Sequence, residues 1–386
     1  MMNFSYYLPT KILFGFGSLE GLGEEVQSLG AKKALLVTDK VMEKTGIVSK
    51  VSAHLSGLRY DTFDDVEPEP RVEVAEGVAQ KVRSSPYDLV LGLGGGSSLD
   101  MAKLAAALAT NEGEARRFVG SGLLRRKGLP TIMLPTTAGT GAELTVTSMV
   151  TVEGHKRWIN SPVLLPTVAL VDPELSMTMP QSVTAATGLD ALCHNTEAYL
   201  SAAANVITDS AALEGVRLIV ENLEKAFTNG SDRPAREAMS LGALLGGIAL
   251  AARMVYGHSV GYTVATRFNL PHGVSCGIPL PYIISNYALA CAPKMKRLAE
   301  AYGVDGGEDP VALGVAVAEK AKGLVSKLRL PTTLKELGVK ESDLSTLADE
   351  CIKLYHRPNS PVVFDEKSMA HFYRMMWNGE LAPGRE

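Results

Sequence analysis

The feature that most constrains the fold is a set of short apolar segments that alternate with helical patterns over the first 180 residues. Four of them end at Gly, Pro, Thr or Asp: KALLVTD (33–39), DLVLGLGGG (88–96), PTIMLPTTAGTG (130–141) and PTVALVDP (166–173). Such runs are typical of buried parallel strands, whose carboxyl ends carry ligand-binding loops. The intervening segments, such as EVAEGVAQKVRSS, have helical periodicity. The alternation therefore predicts a doubly wound α/β domain.

The second half of the chain has a different sequence pattern. After Pro180 the segments are long, rich in Ala and Leu, and show no strand-like alternation, which predicts an all-helical domain. A chain of 386 residues also favours about two domains rather than one core. We expect an α/β domain over residues 1–181 and a helical domain over residues 182–386, with Ser182 or Thr184 capping the first helix of the second domain.

Charge and cysteine usage exclude several classes of protein. The net charge is -4, with 38 basic and 42 acidic residues and no basic block, so a nucleic-acid partner is not expected. No secretory signal and no stretch of roughly 18 uncharged apolar residues is visible, so no membrane partner is expected. The four cysteines lack a C-x-x-C pattern, which favours a reducing, cytoplasmic setting. Cys193 and Cys276 are expected to be small packing residues.

A glycine-rich turn follows the second of these apolar segments. LVLGLGGGSSLDMAKLAAAL lies between a predicted strand and a predicted helix and contains Gly94, Gly95, Gly96 and Ser97. Glycines let the backbone approach an anion, and a helix start offers free N–H groups and the positive end of the helix dipole. A pyrophosphate fits such a turn, although Leu99 breaks the G-x-G-x-x-G pattern. A tight turn without a ligand accounts equally well for this run alone.

Two further segments favour a nucleotide at the same sheet edge. PTTAGTGAE contains Thr136, Thr137 and Thr140 at the end of another predicted strand, and two such loops on one edge make a binding crevice. Asp39 follows the first strand and could accept hydrogen bonds from an adenosine ribose, which would favour NAD over NADP. The alternative for Asp39 is a simple turn or helix-capping aspartate.

The stretch GLDALCHNTEAY (188–199) places Asp190 and His194 four residues apart, on one face of a helix. An ordinary helix-surface hydrogen bond is the common explanation of such a pair. His258 and His272 lie fourteen residues apart in YGHSVGYTVATRFNLPHGVSCG, each beside a glycine. Together the four side chains offer one oxygen and three nitrogens, a set suited to a divalent first-row metal. Buried structural histidines remain the alternative.

These motifs, in this order, resemble the iron-containing (group III) alcohol dehydrogenase family over essentially the whole chain. The resemblance rests on FGFGSLEGLGEEVQSLG, GGGSSLDMAK, LPTTAGTGAE, VALVDPEL, GLDALCHNTEAY and GHSVGYTVATRFNLPHG. It implies a nucleotide-binding α/β domain and an all-α metal-binding domain in a dehydroquinate-synthase-like architecture. It also implies that the metal ligands are Asp190, His194, His258 and His272, and that the cofactor residues are Asp39, Gly94, Gly95, Gly96, Ser97, Asp100, Thr136, Thr137, Thr140, Thr145 and Lys156.

One position departs from the family pattern. Members often carry a second histidine four residues after the third ligand, near the nicotinamide, whereas this chain has Tyr262. A tyrosine hydroxyl, with an ordinary pKa of about 10, can relay a proton but is a poor base at neutral pH. Tyr262 is therefore the candidate catalytic residue, and packing or substrate positioning is its alternative role.

The resemblance implies reversible hydride transfer between NAD(H) and a primary alcohol or aldehyde. NADP is the alternative cofactor, and Zn²⁺ is the alternative to the Fe²⁺ that the family implies. A polyol or glycerol dehydrogenase, a maleylacetate-type reductase and a non-catalytic NAD-binding protein are the competing functions. We expect a cytoplasmic homo-oligomer, such as a homodimer, acting on a small-molecule alcohol or aldehyde.

Overall fold

The chain forms two compact units. The computed structural model describes residues 3–268 and 270–381. One unit is Ser5–Met179, and the other is Pro180–Glu386 together with Met1–Phe4. The first unit contains strands and helices, and the described residues after Pro180 contain helices but no strand. The predicted fold class, an α/β N-terminal region followed by an all-helical region, is confirmed.

The first unit is built on a parallel sheet. Its described strands are β1 (Lys11–Phe14), β2 (Lys33–Val37), β3 (Arg59–Phe63), β4 (Leu89–Gly94), β5 (Gly120–Ser121), β6 (Thr131–Pro135), β7 (Thr147–Val152), β8 (His155–Asn160) and β9 (Val168–Val171). Six of them form a sheet in the order β1-β9-β6-β4-β2-β3, with every neighbouring pair parallel. The chain runs from β2 to β3 on one side and then crosses to β4 on the other side of β2. The topological switch point therefore lies between β2 and β4.

Helices cover both faces of this sheet. They are α1 (Leu22–Ser28), α2 (Lys40–Lys44), α3 (Ile47–Ser52), α4 (Val72–Arg83) and α5 (Gly96–Leu108). Successive side chains of a strand point to opposite faces. Accordingly, Leu35 and Val37 of β2 join the core under α4 and α5, whereas Ala34 and Leu36 join the core under α1 and α3. This two-sided burial is why the strands appear in the sequence as continuous apolar runs.

A second, smaller sheet has the order β5-β8-β7. Strands β7 and β8 pair antiparallel and are joined by Glu153 and Gly154, both with positive φ. Two successive residues with positive φ are typical of the tight turns that join hairpin strands. This hairpin has no clear sequence signal, because its strands are only partly buried and carry polar residues, and it was not predicted.

The second unit is assembled around one buried helix. Its described helices are α6 (Gln181–Leu200), α7 (Val206–Thr228), α8 (Arg233–Ala249), α9 (Tyr256–Phe268), α10 (His272–Gly277), α11 (Leu280–Tyr287), α12 (Ala292–Ala301), α13 (Pro310–Lys327), α14 (Leu344–Leu354) and α15 (Glu366–Asn378). Helix α6 packs against α7, α8 and α10 and is buried on all sides from Gly188 onward. A helix buried all round is normally apolar, so the polar residues on α6 need partners.

The first turn of α6 differs from the sequence prediction. The residue preceding the helix is Pro180, and it makes no side-chain capping bond. The prediction of Ser182 or Thr184 as the cap is wrong, because both residues lie inside the helix. The Thr184 hydroxyl instead donates to the carbonyl of Pro180.

One described helical segment is long and apolar enough to cross a membrane by length and composition alone. It is Arg233–Ala252, and 61% of its apolar window is buried inside the protein. Buried core helices pass the same test, and α8 packs against α6 and α7.

The contact between α10 and α6 depends on a glycine. A Cβ atom added to Gly273 would lie 1.8 Å from the carbonyl oxygen of Ala186 and 3.1 Å from the Cβ of Asp190. No heavy-atom contact is that short, so only glycine lets the two helices approach this closely. The approach holds His272, the neighbouring residue, near α6.

We predict that Gly273→Ala lowers the free energy of unfolding by ~3 kcal/mol, because the helices must separate. Gly323→Ala in α13 is the matched control, since an added Cβ there meets no atom of the described residues within 4 Å. The control should be neutral or stabilising by ~0.5–1 kcal/mol. Urea unfolding of the two variants and wild type measures this difference, and equal stabilities would contradict the close-packing interpretation.

Candidate functional site

Three imidazole rings converge on one carboxylate oxygen in the helical unit. The Oδ1 atom of Asp190 lies 3.7 Å from Nε2 of His194, 3.5 Å from Nε2 of His258 and 3.6 Å from Nε2 of His272. Asp190 and His194 are on α6, while α9 and α10 supply the other two histidines. The structure thus brings together all four residues that the sequence analysis selected as metal ligands.

These distances fit ligands that share a single ion. Ligand atoms about 2.0–2.1 Å from a tetrahedral metal lie about 3.3–3.5 Å from one another, close to the separations seen here. Asp190 Oδ1 and His258 Nε2 are also buried without a hydrogen-bond partner among the described residues. Buried polar atoms in proteins rarely lack a hydrogen-bond partner. The donor set of one oxygen and three nitrogens therefore fits a divalent metal.

The electrostatics of the cluster keep the carboxylate charged. Burial alone would raise the pKa of Asp190, but His194 and the other two imidazoles hold that pKa well below its ordinary value. The Asp190 and His258 side chains are 4% and 0% exposed, whereas the His272 side chain is 23% exposed. The cluster is therefore most accessible on the side of His272.

Glu197 contacts His258 on the side of the ring that faces away from Asp190. This residue was not selected from the sequence. Its Oε1 atom lies 2.6 Å from Nδ1 of His258, and its Oε2 atom accepts the backbone N–H of the same residue at 3.2 Å. A carboxylate on the second ring nitrogen directs the first nitrogen toward a metal and orients the ring. The spacing of Asp190, His194 and Glu197 at i, i+4 and i+7 was the available signal, since it places all three on one helix face.

Cys276, expected to be a small packing residue, is buried, and its sulfur also lies beside this cluster. Its sulfur is one of four donor atoms, with those of Asp190, His258 and His272, that all lie within 4.8 Å of one another. The sulfur of Cys193 instead donates to the carbonyl of Cys276 at 3.2 Å. All four cysteines of the chain are buried and free.

Tyr262 lies directly beside the cluster. Its ring stacks on His272, with centroids 5.5 Å apart and an interplanar angle of 15°, and meets His258 edge-on. The Arg357 guanidinium lies 5.8 Å from the centroid of the Tyr262 ring. These contacts place the ring against His272, the more exposed histidine of the cluster, where both a packing role and a proton-relay role are geometrically open.

In the α/β unit, the predicted glycine turn joins β4 to α5. Gly94 has φ +141°, which side chains rarely adopt, and a Cβ there would lie 2.7 Å from Oγ of Ser98. A Cβ on Gly96 would lie 2.6 Å from Cγ2 of Thr140, in the loop after β6. The two predicted loops are therefore in contact, at the carboxyl ends of neighbouring strands.

Threonines border this turn. The backbone N–H of Thr136 donates to the carbonyl of Gly94 at 2.9 Å, while its hydroxyl is buried with no partner among the described residues. A Cβ on Gly95 would touch the Thr137 side chain at 3.5 Å. The Thr140 hydroxyl accepts the N–H of Ala142. A buried, unpartnered hydroxyl beside a helix N-terminus fits a polar ligand at this edge.

Asp39 caps a helix, as its alternative interpretation proposed. Its Oδ1 atom accepts the N–H groups of Val41 and Met42 at the start of α2. Its Oδ2 atom faces the glycine turn, where it accepts from Ser98 Oγ at 3.2 Å. The carboxylate is thus fixed at the end of β2, next to the turn.

Two other predicted cofactor residues, Asp100 and Thr145, contact a buried lysine inside the α/β unit. This lysine, Lys103, was not selected from the sequence. Lys103 is fully buried and pairs with Asp100 at 2.9 Å, and its Nζ atom donates to the hydroxyl of Thr145 at 3.1 Å. Asp100 also accepts the N–H of Met149. Burial raises the pKa of Asp100, and the Lys103 charge opposes that rise. This network joins α5 to β7.

Lys156 and Ser97 meet at the loop after β3. Lys156 pairs with Glu69 at 3.0 Å, and the backbone N–H of Glu69 donates to Ser97 Oγ at 3.3 Å. Glu69 has a positive φ of 53°, which is strained for a residue other than Gly, Asn or Asp. The loop therefore holds Lys156 close to the glycine turn.

Comparison with known proteins agrees with this geometry. Residues 9–173 match the family described as iron-containing alcohol dehydrogenase, and residues 184–377 match its C-terminal domain. Long-chain-alcohol dehydrogenase 1 of Geobacillus thermodenitrificans (strain NG80-2) is 38% identical over 378 residues, which is 95% of each chain.

Solved structures show the same relationship. A 1,3-propanediol oxidoreductase has a TM-score of 0.93 and 34% identity, covering 97% of this chain and 100% of that one. The sulfoacetaldehyde reductase of Bifidobacterium kashiwanohense, solved in complex with NAD+, has a TM-score of 0.90 and 28% identity, covering 97% and 99%. These similarities confirm the predicted enzyme class and the predicted cofactors, NAD and iron. The chain belongs to the iron-containing alcohol dehydrogenase family and is a metal-dependent alcohol oxidoreductase.

Proposed function

We propose that this enzyme transfers a hydride reversibly between NAD(H) and a primary alcohol or its aldehyde. The observation that carries the proposal is the convergence of three imidazole nitrogens on Asp190 Oδ1, at 3.5–3.7 Å. The relatives named above are a long-chain-alcohol dehydrogenase and an oxidoreductase of 1,3-propanediol, a diol whose two hydroxyl groups are both primary. A primary alcohol is therefore the substrate class that we favour.

The residues proposed to hold the metal are Asp190, His194, His258 and His272. A divalent ion bound by them supplies Lewis acidity toward the substrate oxygen. Asp190 contributes the negative charge, and Glu197 holds the His258 ring with Nε2 facing the cluster. The exposed edge of His272 is the side from which we expect substrate to approach. Iron is the family metal, while Zn²⁺ suits the same donors.

The proposed cofactor residues surround the carboxyl ends of β2, β4 and β6. The N-terminus of α5 offers free N–H groups from the glycine turn to a pyrophosphate. Asp39 would accept from ribose hydroxyls and repel the 2′-phosphate of NADP, which favours NAD. The nicotinamide itself supplies the hydride chemistry. The complete proposed set is Asp39, Gly94, Gly95, Gly96, Ser97, Asp100, Thr136, Thr137, Thr140, Thr145 and Lys156.

The cellular setting and the assembly are part of the same proposal. Four buried, free cysteines suit a reducing compartment such as the cytoplasm. We also propose a homodimer, which light scattering of the purified protein measures directly.

We predict that His258→Ala abolishes metal retention and turnover together, because one ligand and the contact to Glu197 are lost. The measurement is elemental analysis of anaerobically purified protein, coupled to NADH and NADPH oxidation with a panel of short and long aldehydes. His371→Ala, at an exposed position on α15, is the matched control and should leave both unchanged. Wild-type turnover after complete metal depletion would reject the mechanism, and tight NADH binding without turnover would favour a non-catalytic protein.

We predict that Glu197→Gln weakens metal retention about 10–100-fold, because a neutral amide orients the His258 ring poorly. Competition with a chelator measures retention independently of activity. Glu221→Gln, on the exposed face of α7, is the control for removing a carboxylate. Unchanged metal affinity in Glu197→Gln would show that this carboxylate only packs.

We predict that Tyr262→Phe lowers kcat by at least about tenfold at neutral pH, because the hydroxyl relays the proton released by the alcohol. Phenylalanine retains the stacking on His272, so metal content should stay at the wild-type level. Full kcat in a metal-replete Tyr262→Phe enzyme would assign Tyr262 to packing instead.

A further inference from the structure

We propose, on the basis of the metal centre proposed above, that Cys276 is an additional donor at that centre and gives it a preference for thiophilic divalent ions such as Zn²⁺ and Co²⁺. The relevant observation is that the four donor atoms lying within 4.8 Å of one another include the sulfur of Cys276 beside those of Asp190, His258 and His272.

The distances suit a sulfur that shares an ion with His272. The Cys276 Sγ atom lies 3.6 Å from Nδ1 and 3.7 Å from Nε2 of that ring. Sulfur about 2.3 Å and nitrogen about 2.1 Å from one ion are separated by about 3.1 Å at a right angle and about 3.6 Å at the tetrahedral angle. The observed separation from Nε2 is close to the upper value.

The surrounding backbone fixes the position of the Cys276 sulfur. Cys276 lies one helical turn after His272 on α10, so both side chains lie on the same helix face. A Cβ on Gly261 of α9 would lie 2.7 Å from the sulfur, so any larger residue there would displace it. The sulfur is also fully buried, which removes it from competing water.

Two other atoms of the same donor cluster also point to a ligand at this location. Asp190 Oδ1 and His258 Nε2 are buried without hydrogen-bond partners among the described residues. The neighbouring thiol of Cys193 is equally buried but donates to a backbone carbonyl. The two cysteines therefore differ in what their sulfur atoms face, and only Cys276 joins the donor cluster.

Two donor sets consequently share Asp190, His258 and His272. His194 completes a set of three nitrogens and one oxygen, and Cys276 completes a set of two nitrogens, one oxygen and one sulfur. Thiolate ligands favour Zn²⁺ and other soft or borderline ions, while carboxylate and imidazole alone discriminate less against Mn²⁺ and Fe²⁺. Cys276 should therefore raise the retention of Zn²⁺ relative to Mn²⁺.

The test is to load metal-free protein anaerobically with Co²⁺ and record its near-ultraviolet absorption, with cobalt content measured in parallel. A sulfur ligand produces an intense sulfur-to-cobalt charge-transfer band, which oxygen and nitrogen ligands do not. We expect the band in wild type and in Cys291→Ser, whose parent thiol is buried and contacts the carbonyl of Leu200. We expect no band in Cys276→Ser at equal cobalt content.

Competition between Zn²⁺ and Mn²⁺ provides a second readout. Cys276→Ser should lower the ratio of bound Zn²⁺ to bound Mn²⁺ by on the order of tenfold, and Cys291→Ser should not. If Cys276→Ser fails to fold, Cys276→Ala replaces it, and the wild-type spectrum still decides whether sulfur is a ligand.

Stoichiometric cobalt in wild type without the band would overturn the role of Cys276 and leave the metal centre intact. Persistence of the band in Cys276→Ser would also overturn it. Failure of wild type to retain any cobalt would overturn the metal centre and, with it, this inference.

Discussion

The structure of the helical unit depends on the burial of one negative charge, that of Asp190. A carboxylate removed from water costs several kcal/mol unless cationic or hydrogen-bonding groups compensate it. Here the compensation comes from three imidazole rings on three helices, α6, α9 and α10. The carboxylate and the three rings therefore depend on one another, and the packing of α6, α9 and α10 is what brings them together.

Close helix packing makes that convergence possible. Gly257, Gly261 and Gly273 stand where an added Cβ would collide with Glu197, with Cys276 or with the backbone of α6. Each absent side chain lets one element of the cluster approach its neighbours. Glycines also allow close approach in the α/β unit, where Gly94 and Gly96 lie in the contact between the loops that follow β4 and β6. In both units, glycine makes room for polar groups beside a buried backbone.

The predictable part of the structure is the part with local signals. The central strands β2, β4, β6 and β9 were visible as apolar runs because both of their faces are buried. The edge strands β1 and β3 and the β7–β8 hairpin were missed, because their residues are partly exposed and polar. Similarly, Lys103 was not selected, since a single lysine in an apolar helix resembles a surface residue until its partners are known.

The sequence alone determined the fold class through its periodicity. Through the resemblance of its ordered motifs to a known family, it also indicated the family and the four residues that converge in the helical unit. Only the tertiary structure decided which other side chains contact these four residues. Glu197 contacts His258 across 61 positions of the chain, and Cys276 meets Asp190 through the packing of α10 on α6. Such contacts leave no local pattern, because they depend on how closely separate helices approach rather than on the spacing of residues within one helix.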